Sequence, residues 1–552
     1  MHFVSKTTNL LCLLLMIAVA CLICVKAPYW FPVNTGDTLN DIQRQAILHN
    51  KADWGYWGTN PEVFTEWDSH SNRLIPIYTF GIDLDQYQNE NSIYRDLDRI
   101  NQLYGRQTHA TVHAAADYID QTDIYRLQQD AVEQGKKYIF LVVFDGMDWQ
   151  TTRAAAIYRS QQVNYSEGRG NGLAFQDYDK TTTDFGFHAC SPFNDSTTFD
   201  IDAQIVTGRN ERLYGGYNPL VGGFHPWDKP ASYPYLIGKD LANPHAYTDS
   251  AASATSMTCG IKTYNGAINV DPDGQHVTPI ARELQAKGFL VGAVTSVPFS
   301  HATPACTYGN NVERGDYQDI SRDLLGISSI ANRQPLSGMD VLIGCGWGVE
   351  PETKEDFETV KEEQGINFVV GNKYLAEEDL AKINYTNGGR YEVAIRTTGV
   401  SGKQALDSAT NACLEKGLRL FGMFGTKEAH LPYATANGDF VPTAGRTEHE
   451  VYTKGDLFEN PTLADMTESA LKVLEKNEAG FWLLVEAGDV DWANHQNSID
   501  NSIGAVFSGE AAFNKITEWI ERNDCWDESA VIVTADHGHL FVMERPEALI
   551  PE

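Results

Sequence analysis

The sequence predicts an α/β fold: a mostly parallel central sheet with helices on both faces and an active site beyond the carboxyl ends of the strands. Three observations predict it. Unbroken apolar runs recur at residues 138–144, 289–295, 481–485 and 530–534, the pattern of strands buried on both faces. Amphipathic helical spacing falls between them at 279–287, 463–476 and 509–522, and such alternation builds parallel sheets. Three of the runs end on acids, namely Asp145, Glu486 and Asp536 with His537 beside it. Ligands of open α/β sheets bind at those strand ends.

In chain order, residues 1–26 come first. Lys6 precedes an apolar run from Leu10 to Val25, too short for the ~20 residues of a spanning helix and suited to a signal segment. Ala18-Val19-Ala20 offers a cleavage site, and Cys21 leaves a lipid-type tether open. Export is expected, to a periplasmic, extracellular or membrane-tethered location. Residues 27–136 are polar and aromatic-rich, with helical spacing at 97–104 and 114–133, and read as an N-terminal extension without a chemical constellation. The catalytic domain is expected over 137–552, with loop-forming insertions at about 158–244 and 338–453.

A formal net charge of −32 argues against nucleic acid as a partner, because phosphate backbones need basic surface. Three of the nine cysteines lie in the leader; the other six are scattered, which argues against a cysteine zinc site and allows one to three disulfides.

The chemistry concentrates in short segments. Asp249-Ser250 opens a run of small residues, so Ser250 is expected at a helix N-terminus, where free N–H groups favour an anionic oxygen. Carboxylate plus imidazole suits zinc, and carboxylate plus hydroxyl suits magnesium. Asp491 and His495 are four apart, on one face of a helical turn, where they can share one ion.

These segments together resemble the alkaline phosphatase family. The matching pieces are DGM at 145–147, DSAASAT at 249–255, GIKTYNGAINVD at 260–271, HATPA at 301–305, Arg314, VEAGDVDWANH at 485–495 and TADHGH at 534–539, in family order. The resemblance implies hydrolysis of small phosphate monoesters through a phosphoserine at a site of two zinc ions and one magnesium. Ser250 resembles the nucleophile, and Asp536 and His537 the ligands of the zinc that activates it, with Asp145 bridging to magnesium. Thr303 and Glu486 resemble the remaining magnesium ligands, Asp491 and His495 ligands of the second zinc, Arg314 the phosphate grip and Asp249 its orienting partner. Family members are commonly homodimers.

The family's second zinc takes a further histidine from a segment beyond the DHGH motif, and no histidine follows His539. The expectation is an incomplete C-terminal end or a zinc held by Asp491 and His495 alone, with His539 in a supporting place. Asp148 stands where the family has glycine, and His301 and Trp492 stand at variable positions. A sulfatase reading fails because Cys190-Ser191-Pro192-Phe193-Asn194 ends in Asn where an Arg is required. Two alternatives stay open: a phosphodiesterase on this fold, and a catalytically silent phosphate- or metal-binding homologue.

Overall fold

The computed structural model describes residues 37–105, 110–209, 213, 215–447 and 450–550. The leader lies outside them, and among them no helix is long and apolar enough to cross a membrane. The strands that position the site are, in chain order, β1 (His70–Ser71), β2 (Ile75–Phe80), β3 (Ile119–Asp120), β4 (Tyr138–Phe144), β5 (Thr183–Ala189), β6 (Leu290–Pro298), β7 (Val341–Cys345), β8 (Tyr391–Ile395), β9 (Arg419–Phe424), β10 (Phe481–Ala487), β11 (Ser529–Thr534) and β12 (Gly538–His539).

All but β1 and β12 join one ten-stranded sheet in the order β8-β9-β7-β6-β10-β4-β11-β2-β5-β3. Every neighbouring pair is parallel except the two that flank β2. The expected mostly parallel α/β sheet is therefore present, with one reversed strand. Its four apolar runs lie side by side at the centre as β6, β10, β4 and β11, covered on both faces by buried side chains. Register then fixes the chemistry. Glu486 pairs with Val143 on one side and Thr295 on the other, so the acids after β4 and in β10 emerge at the same sheet edge.

The helices at Ile280–Ala286 and Leu463–Leu474 match expectation. The third is longer than its pattern suggested and begins at Ile499. Gly504 and Gly509, which masked the helix in sequence, are packing devices. A Cβ on Gly504 would lie 1.9 Å from the Ala434 carbonyl oxygen, and one on Gly509 2.3 Å from the Phe144 ring. Only Asp123–Glu133 of the helical spacing at 114–133 is helix, because β3 takes up Ile119–Asp120.

The segments read as extension and insertions contribute to the sheet. Residues 27–136 supply β1, β2 and β3; 158–244 supply β5; 338–453 supply β7, β8 and β9. Residues from Thr38 onward accordingly form one compact unit. The six cysteines outside the leader are all free and buried, so none of the allowed disulfides forms among the described residues.

Candidate active site

Ser250 is the first residue of the helix Ser250–Cys259, all ten residues of which are buried. Small side chains let this helix sit tight against its surroundings, and Asp249 caps it by accepting a hydrogen bond from the Ala252 amide at 2.9 Å. The Ser250 hydroxyl lies 3.3 Å from His537 Nε2. Asp249 performs both roles weighed for it: besides capping, its Oδ2 accepts from Arg314 Nη1 at 3.0 Å. Arg314 Nη2 contacts His301 Nε2 at 3.1 Å. Burial lowers the His301 pKa to about 3, with the Arg314 charge adding to it, so the ring is neutral and accepts from the guanidinium. Burial works against the charge on Arg314, and Asp249 outweighs it. The guanidinium is thereby aimed beside Ser250.

Gly146 follows Asp145 with φ +68, and a Cβ there would lie 2.8 Å from His539 Nε2. Its amide donates to Asp536 Oδ1 at 2.9 Å, which ties the turn after β4 to the end of β11. Asp148, in place of the family's glycine, caps the next helix through the Gln150 and Thr151 amides.

Three groups of buried donors converge here, each with its ligand atoms within 4.8 Å of one another. Asp145, Asp536 and His537 form one, and Asp145, His301 and Glu486 another, so Asp145 belongs to both as a bridging ligand must. Thr303, in the turn Ala302–Ala305, lies beside Glu486. The third group is His70, Asp491, His537 and His539.

His70 and His301 are the residues that the sequence reading left out of the site. His301 stands beside the set expected to be all oxygen, but the one lone pair of its neutral ring accepts from Arg314, so it serves as that residue's support. His70 arrives on β1, which pairs antiparallel with β12 so that His70 faces His539. Its position is fixed by neighbours: Trp67 Nε1 donates to the His70 carbonyl at 3.0 Å, and Asn72 is bound to the chain at 245–248. His70 thus brings an imidazole to the place where the resemblance expects a third ligand from beyond the DHGH motif.

The donor atoms around His70 are spaced so that they could hold a metal ion. His70 Nε2, His495 Nε2 and Asp491 Oδ1 stand 3.2, 3.4 and 3.6 Å apart. Tetrahedral zinc with ligands at ~2.0–2.2 Å puts its donor atoms ~3.3–3.6 Å apart. Both rings are anchored at the far nitrogen: His70 Nδ1 donates to the Thr248 carbonyl at 2.9 Å, and His495 Nδ1 donates to the Asp68 carbonyl. A carbonyl can only accept, so Nδ1 carries a proton in both rings. Burial and the neighbouring His537 hold His70 well below the usual imidazole pKa, so that ring is neutral and turns its Nε2 lone pair toward His495 Nε2 and the Asp491 oxygen. A lone pair and a carboxylate pointing at one spot repel each other unless a cation lies between them. His539 supports the set, its Nε2 contacting Asp491 Oδ1 at 2.7 Å.

The remaining acids make the same demand. Neither Asp145 oxygen, nor Asp536 Oδ2, nor Glu486 Oε1 finds a donor of suitable geometry, though all are buried. Burial and the charges of Asp536, Asp491 and Glu486 push the Asp145 pKa well above the carboxylate range. Burial lifts Glu486 to about 8 against the pull of the Thr295 and Thr303 hydroxyls. Orphaned buried acceptors and mutually repelling carboxylates fit divalent cations. Without cations, Glu486 in the folded chain holds its proton up to about pH 8, whereas an unfolded glutamate releases its proton near 4.5. In that window the folded state binds more protons, so stability falls as pH rises. Chelator-treated protein is expected to lose melting temperature between those values relative to protein loaded with zinc, as thermal melts across pH would record.

All of Asp145, Asp249, Ser250, Thr303, Arg314, Glu486, Asp491, His495, Asp536 and His537 thus lie in or against one cluster. Comparison with known proteins gives a consistent picture. The family model described as alkaline phosphatase matches residues 233–548, more than half of the chain. The alkaline phosphatase of Escherichia fergusonii is 30% identical over 370 residues, covering 63% of this chain and 70% of that protein. That of Escherichia coli K12 is 29% identical over 379 residues, with the same two coverages. A crystal structure of Thermus thermophilus alkaline phosphatase aligns with TM-score 0.43 and 21% identity, over 75% of this chain and 63% of that one. His70 and Asp145 both lie upstream of the span that the family model matches.

Proposed function

This chain belongs to the alkaline phosphatase family, which makes it a phosphoric monoester hydrolase, and from that premise we propose that Ser250 is its nucleophile in a site for two zinc ions and a third divalent ion. The observation that carries the proposal is the placement of the Ser250 hydroxyl, 3.3 Å from His537 in a group that also holds Asp145 and Asp536. Asp536, His537 and Asp145 would hold the ion beside Ser250; Asp491, His495 and His70 the second; Asp145, Glu486 and Thr303 the third. When bound, such ions lower the pKa of hydroxyl groups and neutralise charge on the attacking and leaving oxygens of an in-line displacement.

The rest falls to the chain. Ser250 attacks phosphorus from a helix N-terminus that favours its developing negative charge. The ester bond to the alcohol breaks as the serine–phosphorus bond forms, and water then cleaves the phosphoserine to release phosphate. Arg314 grips two non-bridging oxygens with its planar fork, held in that plane by Asp249 and His301. Lysine has one point charge and no fork, so Arg314→Lys is expected to raise KM for a monoester about tenfold, which steady-state kinetics on the loaded enzyme would show. Export on the strength of the apolar leader belongs to the same proposal, and so does a homodimer. Hydrolysis rates for p-nitrophenyl phosphate and bis-p-nitrophenyl phosphate test the substrate class. Faster monoester turnover is expected, and faster diester turnover would make the protein a phosphodiesterase.

A further inference from the structure

Resting on the monoester reading, a second question is what alcohol the ester carries. A cavity of about 640 Å³ opens directly against the metal-ligand set, with His495 in its wall. That volume is in the range of small-molecule sites, roughly 300–1,000 Å³. In-line displacement puts the leaving oxygen opposite Ser250, on the side of His495 and Asp491, and so at the mouth of this cavity.

The wall between cavity and phosphate site is Trp492. Its indole, half-buried, meets the His301 ring edge-on at 6.1 Å and the His430 ring at 5.4 Å. Behind it stands a locked aromatic panel. His430 packs against Tyr433 at 5.6 Å and pairs with Glu450 at 2.6 Å, while its Nδ1 donates to the Leu431 carbonyl at 2.7 Å. These contacts fix the panel behind Trp492, which lines the cavity.

We propose that this cavity binds the alcohol part of the ester and selects alcohols that carry a planar aromatic or heteroaromatic ring, stacked on Trp492. A fixed aromatic face favours such rings over small polyols. Small polyol phosphates would reach the metals yet leave the cavity to water.

The test compares kcat/KM for adenosine 5′-monophosphate and glycerol 2-phosphate on the metal-loaded enzyme, for wild type, Trp492→Ala, Trp492→Phe and Val451→Trp. Wild type is expected to prefer the nucleotide. Trp492→Ala should lower its kcat/KM about tenfold while glycerol 2-phosphate changes less than about twofold, and Trp492→Phe should restore most of the loss. Val451 is exposed at the cavity lip, and a tryptophan there should obstruct the nucleotide alone. Equal efficiency on both esters in wild type, or equal losses on both in the variants, would overturn the inference and leave the phosphatase reading intact. No turnover of either ester by the loaded wild type would overturn that reading and this inference with it.

Discussion

Replacing His70 by alanine is expected to remove one zinc per chain and to lower p-nitrophenyl phosphate turnover by more than ~10²-fold. Loss of a mere outer-shell partner already reduces metal affinity or activity ~10–100-fold, and His70 Nε2 belongs to the donor triangle itself. The variant should fold. β1 is held to β12 through backbone pairing, and the ring removed is neutral and carries no ion pair that the metal-free protein needs. Melting temperature should therefore change little after chelation and fall markedly, relative to wild type, when zinc is present. Zinc measured by elemental analysis, with melts in both states, separates a ligand from a structural residue. Unchanged zinc content and turnover would mean that Asp491 and His495 suffice, or that His539 completes the set.

Replacing Ser250 by alanine should instead leave the ions in place and abolish the phosphoenzyme. Turnover is expected to fall by ~10³-fold or more, as for other enzymes deprived of a covalent nucleophile. The structural change is slight. The hydroxyl's one protein contact in the site is His537 at 3.3 Å, and alanine suits a helix better than serine does. Acid quenching of a reaction with labelled substrate should trap phosphate on wild type and none on the variant. Normal turnover by the variant would show that water, and not Ser250, attacks phosphorus. The two substitutions thus fail in opposite ways: one loses metal, the other loses chemistry with its metal retained.

Much of this site could be read from the sequence because its signals are local. A buried strand that stops on an acid states its own geometry, and parallel packing brings Asp145, Glu486 and Asp536 to one edge whatever the exact register. Asp491 and His495 share a helical turn by spacing alone. His70 is different in kind. It sits in a two-residue strand, with no periodicity of its own, and reaches the site through pairing with residues 538–539 and contacts with residues 245–248. Long-range pairing of that sort leaves no mark in a single sequence. A weaker signal was present: the apolar stretch Ile75–Phe80 just after His70 is fully buried and forms β2, the strand between β11 and β5. Read as a sheet strand, it would have carried its neighbouring histidine toward the strand ends. The helix at Ile499–Arg522 was shortened for a related reason, since glycines that weaken a helix alone are required where its backbone meets Phe144 and Ala434.

The most direct test of the account is zinc titration of chelator-stripped wild-type protein with p-nitrophenyl phosphate hydrolysis followed at alkaline pH. The account predicts negligible turnover at the start, and recovery that levels off once two zinc ions are bound per chain. Full turnover by the stripped protein, or zinc uptake to that level without turnover, would contradict it.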